Sequence, residues 1–150
     1  MLKISLVRNS KLDRDFIFKL STDIENFSKL LPKYFQSLKI TGPNNSELFV
    51  DEKISFLGKT FTVKTKHVIK RPDLHSIHIL TGPLSGSSFV ELYESKSFGT
   101  KIIIDVNLKF NGLGKILYVL SFFINKQINK VMDEFVLACE SQQDPISSFN

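Results

Sequence analysis

Hydrophobic and polar residues alternate along most of the first two thirds of the chain, and a long apolar segment follows. The alternation predicts seven strands, at residues 3–8, 34–40, 48–56, 60–71, 76–81, 88–97 and 101–110. It is clearest over residues 60–71, where one side of the strand carries five residues: Phe61, Val63, Thr65, His67 and Ile69. Short turns join the last six strands, so we expect an antiparallel meander.

The predicted helices lie between the first two strands and at the end of the chain. Ser10 and Asp13 have the spacing of a helix start, and Thr22 and Glu25 repeat it before Pro32 ends the second short helix. A long helix is predicted over residues 113–140, and its front half, residues 115–124, is apolar almost all the way round. Such a helix must be covered on most sides. We therefore expect a curved antiparallel sheet to wrap around it and to leave a cavity between sheet and helix.

Four segments in this order carry a family resemblance. They are the helix at residues 23–32, the hairpin at 56–63, the glycine–proline turn at 80–84, and the last strand, break and helix at 108–139. Together they resemble the helix-grip fold of the START-like superfamily, also called SRPBCC, and most closely its polyketide cyclase and coenzyme-Q-binding group. The resemblance implies an α+β fold, with a curved antiparallel sheet of six to seven strands around a long C-terminal helix and two short helices after strand 1. It implies one START-like domain over residues 1–140, and the polar residues 141–150 are expected to form a flexible tail.

The charge and the cysteine content limit which partners and which kinds of site the chain can have. The net charge is +5, but the lysines are scattered, so we expect no nucleic-acid partner and at most a transient membrane contact. Cys139 is the only cysteine, which excludes an intramolecular disulfide and a cysteine-based zinc site and fits a cytoplasmic protein. No spacing of ligands predicts a metal site, and we expect no cofactor. The apolar helix front spans about ten residues, fewer than the roughly 20 that cross a bilayer.

Four polar residues interrupt faces that are otherwise apolar: Glu52, His67, Glu91 and Tyr93. A Glu–His pair on neighbouring strands can act as a general base or hold the polar group of a ligand. Each residue also has an ordinary interpretation. His67 fits a core or rim histidine, a bulge could turn Glu52 outward, and Val90 and Leu92 would serve equally well as the inward residues of their strand. The apolar residues expected to line the cavity are Phe61, Phe110, Leu117, Leu120 and Ile124.

These features leave three hypotheses for function and do not identify catalytic residues. The preferred one is a non-enzymatic binder or carrier of a hydrophobic small molecule, such as a lipid, isoprenoid or quinone-like compound, with residues 82–87 as a lid hinged at residues 110–114. The second is a polyketide cyclase or aromatase type of enzyme in which His67 acts with Glu52 or Tyr93 as acid–base groups. The third is an interaction module that docks residues 118–124 on a protein or membrane. It predicts a filled core without a cavity and an exposed apolar patch of several hundred Å². The sequence does not specify the oligomeric state.

Overall fold

The computed structural model describes residues 1–42, 46–111 and 116–142, except for the side chains of residues 116–119. The described elements, in chain order, are β1 (Leu2–Ser10), α1 (Arg14–Thr22), a 3-10 turn (Ile24–Asn26), α2 (Phe27–Leu30), β2 (Phe35–Gly42), β3 (Glu47–Phe56), β4 (Lys59–Lys70), β5 (Leu74–Ile79), β6 (Ser88–Lys96), β7 (Gly99–Leu108) and α3 (Ile116–Glu140). The predicted α+β class and the order of strands and helices are confirmed.

The strands form one curved antiparallel sheet with the order β1-β7-β6-β5-β4-β3-β2. Strands β2 to β6 each pair with the next strand in sequence, which confirms the predicted meander. β1 pairs with β7, so the first and the last strand in the sequence are neighbours in the sheet. Because side chains alternate between the two faces of a strand, β3, β4, β5 and β6 each present every second residue to the same inner face.

Helix α3 packs on that inner face along one stripe of apolar residues. Ile124, Ile128, Phe135 and Cys139 are buried on it, at helical spacing. Polar contacts hold the helix to β1. Arg8 Nε donates to Asp133 Oδ1 at 2.7 Å, and Ser10 Oγ donates to Glu140 Oε2 at 3.0 Å. The helix is therefore fixed to the sheet by an apolar stripe and by polar contacts near its C-terminal end.

Helix α1 begins later than the sequence pattern predicts. Ser10 belongs to β1, and its hydroxyl is engaged with α3. Asp13 is the N-cap, with an extended backbone (φ −61°, ψ 143°) and a side chain that accepts from the backbone N–H of Asp15 at 3.2 Å. The predicted start at Ser10 is therefore wrong by about one turn, because Ser10 still pairs in the sheet and Asp13 supplies the capping carboxylate.

The expectation that the front of the long helix is covered on most sides is wrong at Phe122 and Phe123. Phe122 is 70% exposed and Phe123 is 57% exposed, whereas the neighbouring Ile124 is fully buried. One sheet contacts one stripe of a helix, so residues turned about 100° per position away from that stripe face outward. The two phenylalanines contact each other edge to face, with ring centroids 5.7 Å apart.

Candidate functional site

An internal cavity of about 160 Å³ lies between the sheet and α3. Most of its wall is apolar. Helix α3 contributes Ile128, Val131, Met132 and Phe135, and the segment between β1 and β2 contributes residues such as Ile24, Phe27 and Leu31. The inner face of the sheet supplies the remaining apolar wall: Leu38, Ile54, Phe56, Val63, Ile77, Ile79, Phe89, Ile104, Val106 and Leu108. An apolar cavity of this kind is suited to a small molecule with a large apolar part.

One side of the wall carries a group of polar residues from four neighbouring strands, called the polar cluster below. Its members are Glu52 on β3, Thr65 and His67 on β4, His75 on β5, and Glu91 and Tyr93 on β6. All of them except Tyr93 line the cavity. Strand pairing brings them together. His75 on β5 pairs directly with Glu91 on β6. On its other side, His75 pairs with Ile69 of β4, which lies two residues after His67 on the same face. The cluster therefore depends on the register of three strand pairs.

Contacts within the polar cluster form a chain across the sheet. His67 Nε2 lies 2.8 Å from Glu52 Oε2, and the Thr65 hydroxyl donates to the same carboxylate oxygen. His67 Nδ1 lies 2.9 Å from His75 Nε2. His75 Nδ1 lies 3.5 Å from Glu91 Oε1, which is too far for a good hydrogen bond. The chain is thus bonded continuously from Glu52 to His75 and is open between His75 and Glu91.

For neutral histidines and a charged Glu52, the hydrogen-bond distances assign the proton to one nitrogen of each ring. With Glu52 as a carboxylate, its 2.8 Å contact requires a proton on His67 Nε2. His67 Nδ1 is then an acceptor in neutral His67, so His75 Nε2 must be the donor across their 2.9 Å contact. In neutral His75 this leaves Nδ1 unprotonated, and that atom is buried without a hydrogen-bond partner. His75 Nδ1 is therefore the acceptor that the cluster leaves unused.

Tyr93 lies behind the cavity wall, next to Glu91 at the far end of the series of polar contacts. Its hydroxyl donates to Glu91 Oε1 at 2.8 Å, and its ring meets Phe18 edge to face at 5.3 Å. Burial, and then the negative charge of Glu91, raise the pKa of Tyr93 well above its usual value, so Tyr93 is a neutral donor. Burial also raises the pKa of Cys139 to about 12, which makes this thiol a poor nucleophile.

The structure brings together the four polar residues expected at the site, with Glu52, His67 and Glu91 on the cavity wall and Tyr93 directly behind it. The predicted apolar residues are placed differently. Phe61, Phe110 and Leu120 are half-buried and Ile124 is fully buried, and none of these four belongs to the wall. The side chain of Leu117 lies outside the described residues. Among the described side chains of α3, the cavity is lined by residues between Ile128 and Phe135.

The expected lid, residues 82–87, contributes Leu84 to the cavity wall. Four hydrogen bonds tie this segment to the residues after β7. The Asn111 backbone N–H donates to Pro83 O at 2.9 Å, and Asn111 Nδ2 donates to Ser85 O at 2.9 Å. The Ser87 hydroxyl accepts from the Lys109 backbone N–H at 2.8 Å and donates to Lys109 O at 3.2 Å. Of the expected hinge, residues 112–114 lie outside the described residues. Opening of this segment stays a prediction, and it would require bonds to Lys109 or Asn111 to break.

Sequence analysis did not single out His75 as a site residue. The predicted strand began at residue 76, one position after it, whereas β5 begins at Leu74. A signal was present, because Ile77 and Ile79 alternate with the polar residues Ser76 and His78, and His75 continues the side of the two isoleucines. All three of these residues line the cavity. An earlier strand start would have placed this histidine on the inner face beside His67.

Two further properties concern only the described parts of the chain. Within them, no three His, Cys, Asp or Glu side chains are grouped so that they could hold a metal ion. No helix in the same residues is long and apolar enough to cross a membrane.

Similarity to known proteins is found at the level of structure. No protein-family model matches the sequence, and no curated protein is significantly similar to it. A protein from Thermus thermophilus matches with a TM-score of 0.81 at 10% identity, over 95% of this chain and 100% of that chain. The Zhui aromatase/cyclase from Streptomyces sp. R1128 matches with a TM-score of 0.79 at 10% identity, over 93% of each chain.

A plant enzyme is also similar in structure. Norcoclaurine synthase from Thalictrum flavum, solved in complex with dopamine and hydroxybenzaldehyde, matches with a TM-score of 0.67 at 12% identity, over 95% of this chain and 88% of that chain. Identities this low establish the fold and leave the activity open. The chain therefore has the helix-grip fold, as the order of its sequence segments predicts.

Proposed function

We propose that this protein binds a small, mostly apolar molecule in the cavity, with a polar group of that molecule against the polar cluster. One observation carries the proposal: the apolar wall of the cavity is interrupted on one side by a connected set of polar groups. The volume of about 160 Å³ suits a ligand portion of roughly one ring, since an apolar protein cavity of about 150 Å³ can hold benzene. Structural neighbours that act on or bind small molecules support the same class of function.

Affinity for such a ligand comes mainly from apolar burial. A single aromatic ring that loses about 200 Å² of exposed surface gains roughly 5 kcal/mol, before the entropy cost of association is subtracted. Single-ring probes should therefore bind weakly and are best detected by NMR. Native mass spectrometry of the purified protein, followed by organic extraction, would identify a tighter ligand that stays bound during purification.

Filling the cavity should abolish binding. Val131 lines the cavity from α3, so the ring of Val131→Phe should occupy the space that the ligand needs. Leu137 is 66% exposed on the same helix, and Leu137→Phe is therefore a matched control. Titration with ethylbenzene, followed by backbone amide NMR shifts, should show binding to the wild-type protein and to the control. We expect affinity at least roughly tenfold weaker in Val131→Phe, since about 1.4 kcal/mol corresponds to tenfold. Unchanged affinity in a folded Val131→Phe protein would contradict the proposal.

The polar cluster favours a second candidate, acid–base catalysis on the bound molecule. Both ring nitrogens of His67 are engaged, one with Glu52 and one with His75. A proton taken from a ligand would therefore reach His67 through His75. Hydrogen-bonded histidines and carboxylates on a cavity wall can act as a general base for enolisation, the chemistry expected of a cyclase.

Proton exchange tests this second candidate without knowledge of the substrate. Acetophenone in D₂O exchanges its methyl protons when a base abstracts them, and NMR follows the exchange. His67→Gln keeps a donor for Glu52 and an acceptor for His75 but cannot carry a proton between them. We expect the wild-type protein to accelerate exchange and His67→Gln to lose most of that acceleration, because His75 can then no longer pass the proton on to His67 and Glu52. His78→Gln, on the neighbouring strand but outside the cavity, should keep the rate. Equal rates in His67→Gln and wild type would leave binding as the role of the cluster.

The interaction-module hypothesis fits the molecule less well. It predicts a filled core, and the cavity between sheet and helix counts against that prediction. The exposed pair Phe122 and Phe123 gives an apolar surface on α3, but it lies apart from the polar cluster and the cavity wall.

A further inference from the structure

The polar cluster has fewer protons than hydrogen-bond acceptors. With the glutamates as carboxylates and the histidines neutral, its side chains hold four protons, one each on Thr65, Tyr93 and the two imidazole rings. All four are used inside the cluster. Two go to Glu52, one goes to His67 and one goes to Glu91. No proton is left to donate to a ligand, whereas acceptor atoms are left over.

One of the unused acceptors can be assigned to a single atom, His75 Nδ1. His75 Nδ1 is buried without a hydrogen-bond partner, on a side chain that is only 2% exposed and lines the cavity. Its neighbour across the open contact, Glu91 Oε1, is another acceptor, 3.5 Å away. A buried acceptor without a partner costs free energy that a suitable donor recovers. The open contact therefore favours a molecule that brings its own proton.

We propose that His75 Nδ1, together with Glu91, accepts a hydrogen bond from a hydroxyl group of the ligand. This inference rests on the proposed function and gives the ligand a chemical class: an apolar ring or chain with a neutral hydroxyl group, for example an alkylphenol. A ligand oxygen with lone pairs only, as in an ether or a quinone, would meet another lone pair at this position. A carboxylate would in addition be repelled by Glu52 and Glu91. The cavity should therefore discriminate against fatty acids and oxidised quinones.

Three single-ring probes separate these cases: 4-ethylphenol, ethylbenzene and 4-ethylbenzoate. The measured quantity is the ratio of the dissociation constants of ethylbenzene and 4-ethylphenol, compared between the wild-type protein and His75→Phe. Because the two ligands differ only in the hydroxyl group, the ratio of their dissociation constants cancels any effect of the substitution on binding of the shared apolar part. We expect the ratio to fall about tenfold in His75→Phe, which is the size of one buried hydrogen bond. His78→Phe is the control, since His78 lies on the same strand outside the cavity wall.

A second measurement needs no substitution and covers the case in which His75→Phe does not fold. Binding of 4-ethylphenol should shift the ¹⁵N resonance of one unprotonated imidazole nitrogen, and ethylbenzene should not. An equal ratio of dissociation constants in wild type and His75→Phe, or a histidine spectrum that 4-ethylphenol leaves unchanged, would overturn the inference and leave the binding function intact. Binding of 4-ethylbenzoate as tight as that of 4-ethylphenol would also overturn it. If none of the probes binds the wild-type protein, the proposed function fails together with the inference.

Discussion

The polar cluster places two carboxylates and two imidazoles in an interior that is otherwise apolar. His67 and His75 are each 2% exposed, and Glu52 is 5% exposed. Groups of this kind lose hydration on burial, and well-packed apolar side chains in their place often leave a protein equally stable or more stable. The need for stability therefore does not explain why the chain carries them. Recognition of a polar group, or transfer of a proton, does explain a connected set of such residues on a cavity wall.

Individual site residues could be predicted from the sequence when they interrupt an apolar face. Glu52 and His67 do so on two neighbouring strands, and the structure places them 2.8 Å apart. The sequence could not tell that His67 has no free nitrogen, because its second partner, His75, comes from another strand pair. Which nitrogen carries a proton depends on every neighbour at once. Hydrogen-bond roles of this kind follow only from the tertiary structure.

Among the elements, the β6–β7 turn depends on one glycine. Gly99 has φ +113°, and an added Cβ would lie 2.0 Å from the backbone oxygen of Ser10 and 2.9 Å from the Cα of Lys11. Gly99→Ala therefore adds a steric clash with the end of β1 to the strain of a left-handed backbone. We expect a loss of more than about 3 kcal/mol in the free energy of unfolding, measured by urea denaturation.

Gly58 provides a matched control for this prediction. It also has a positive φ, +76°, but an added Cβ would meet nothing within 4 Å. Gly58→Ala should cost only the backbone strain of about 1 kcal/mol. Equal losses for the two substitutions would mean that the close approach of the turn to β1 does not contribute to stability.

Whole elements differ in how far the sequence determines them. A strand with one buried face alternates with period two, and this pattern placed all seven strands correctly to within a few residues. The front of the long helix is apolar on every side, so its pattern does not say which stripe meets the sheet. Burial of Ile124 and exposure of Phe122 are decided by the packing of the whole helix on the sheet.

At the scale of the molecule, the sheet order creates the site. β3, β4, β5 and β6 lie side by side, so residues far apart in sequence line one wall opposite α3. The sequence predicts a cavity through its long apolar helix, which needs a sheet to cover it, and through its resemblance to a fold in which sheet and helix do not close on each other. The size of the cavity and the residues around it depend on side-chain packing, which explains why the predicted apolar lining was displaced along α3.

The stability of the whole fold should fall in alkaline solution. In the unfolded chain, Cys139 and Tyr93 lose their protons near the ordinary pKa values of 9.0 and 10.0. In the folded protein burial raises both pKa values, that of Cys139 to about 12. Above pH 9 the unfolded state therefore binds fewer protons than the folded state, and the free energy of unfolding decreases with pH. Each group contributes up to about 1.4 kcal/mol per pH unit.

Urea denaturation at pH values from 8 to 11 measures this dependence. Cys139→Ala and Tyr93→Phe should each lower the free energy of unfolding at pH 8, because Cys139→Ala leaves a cavity and Tyr93→Phe leaves Glu91 without its donor. In each variant the free energy of unfolding should also decrease less steeply above pH 9, because the removed group no longer titrates. This change of slope distinguishes titration of the group from simple loss of packing. A parallel downward shift of the whole curve in both variants would show that neither buried group releases its proton on unfolding in this range.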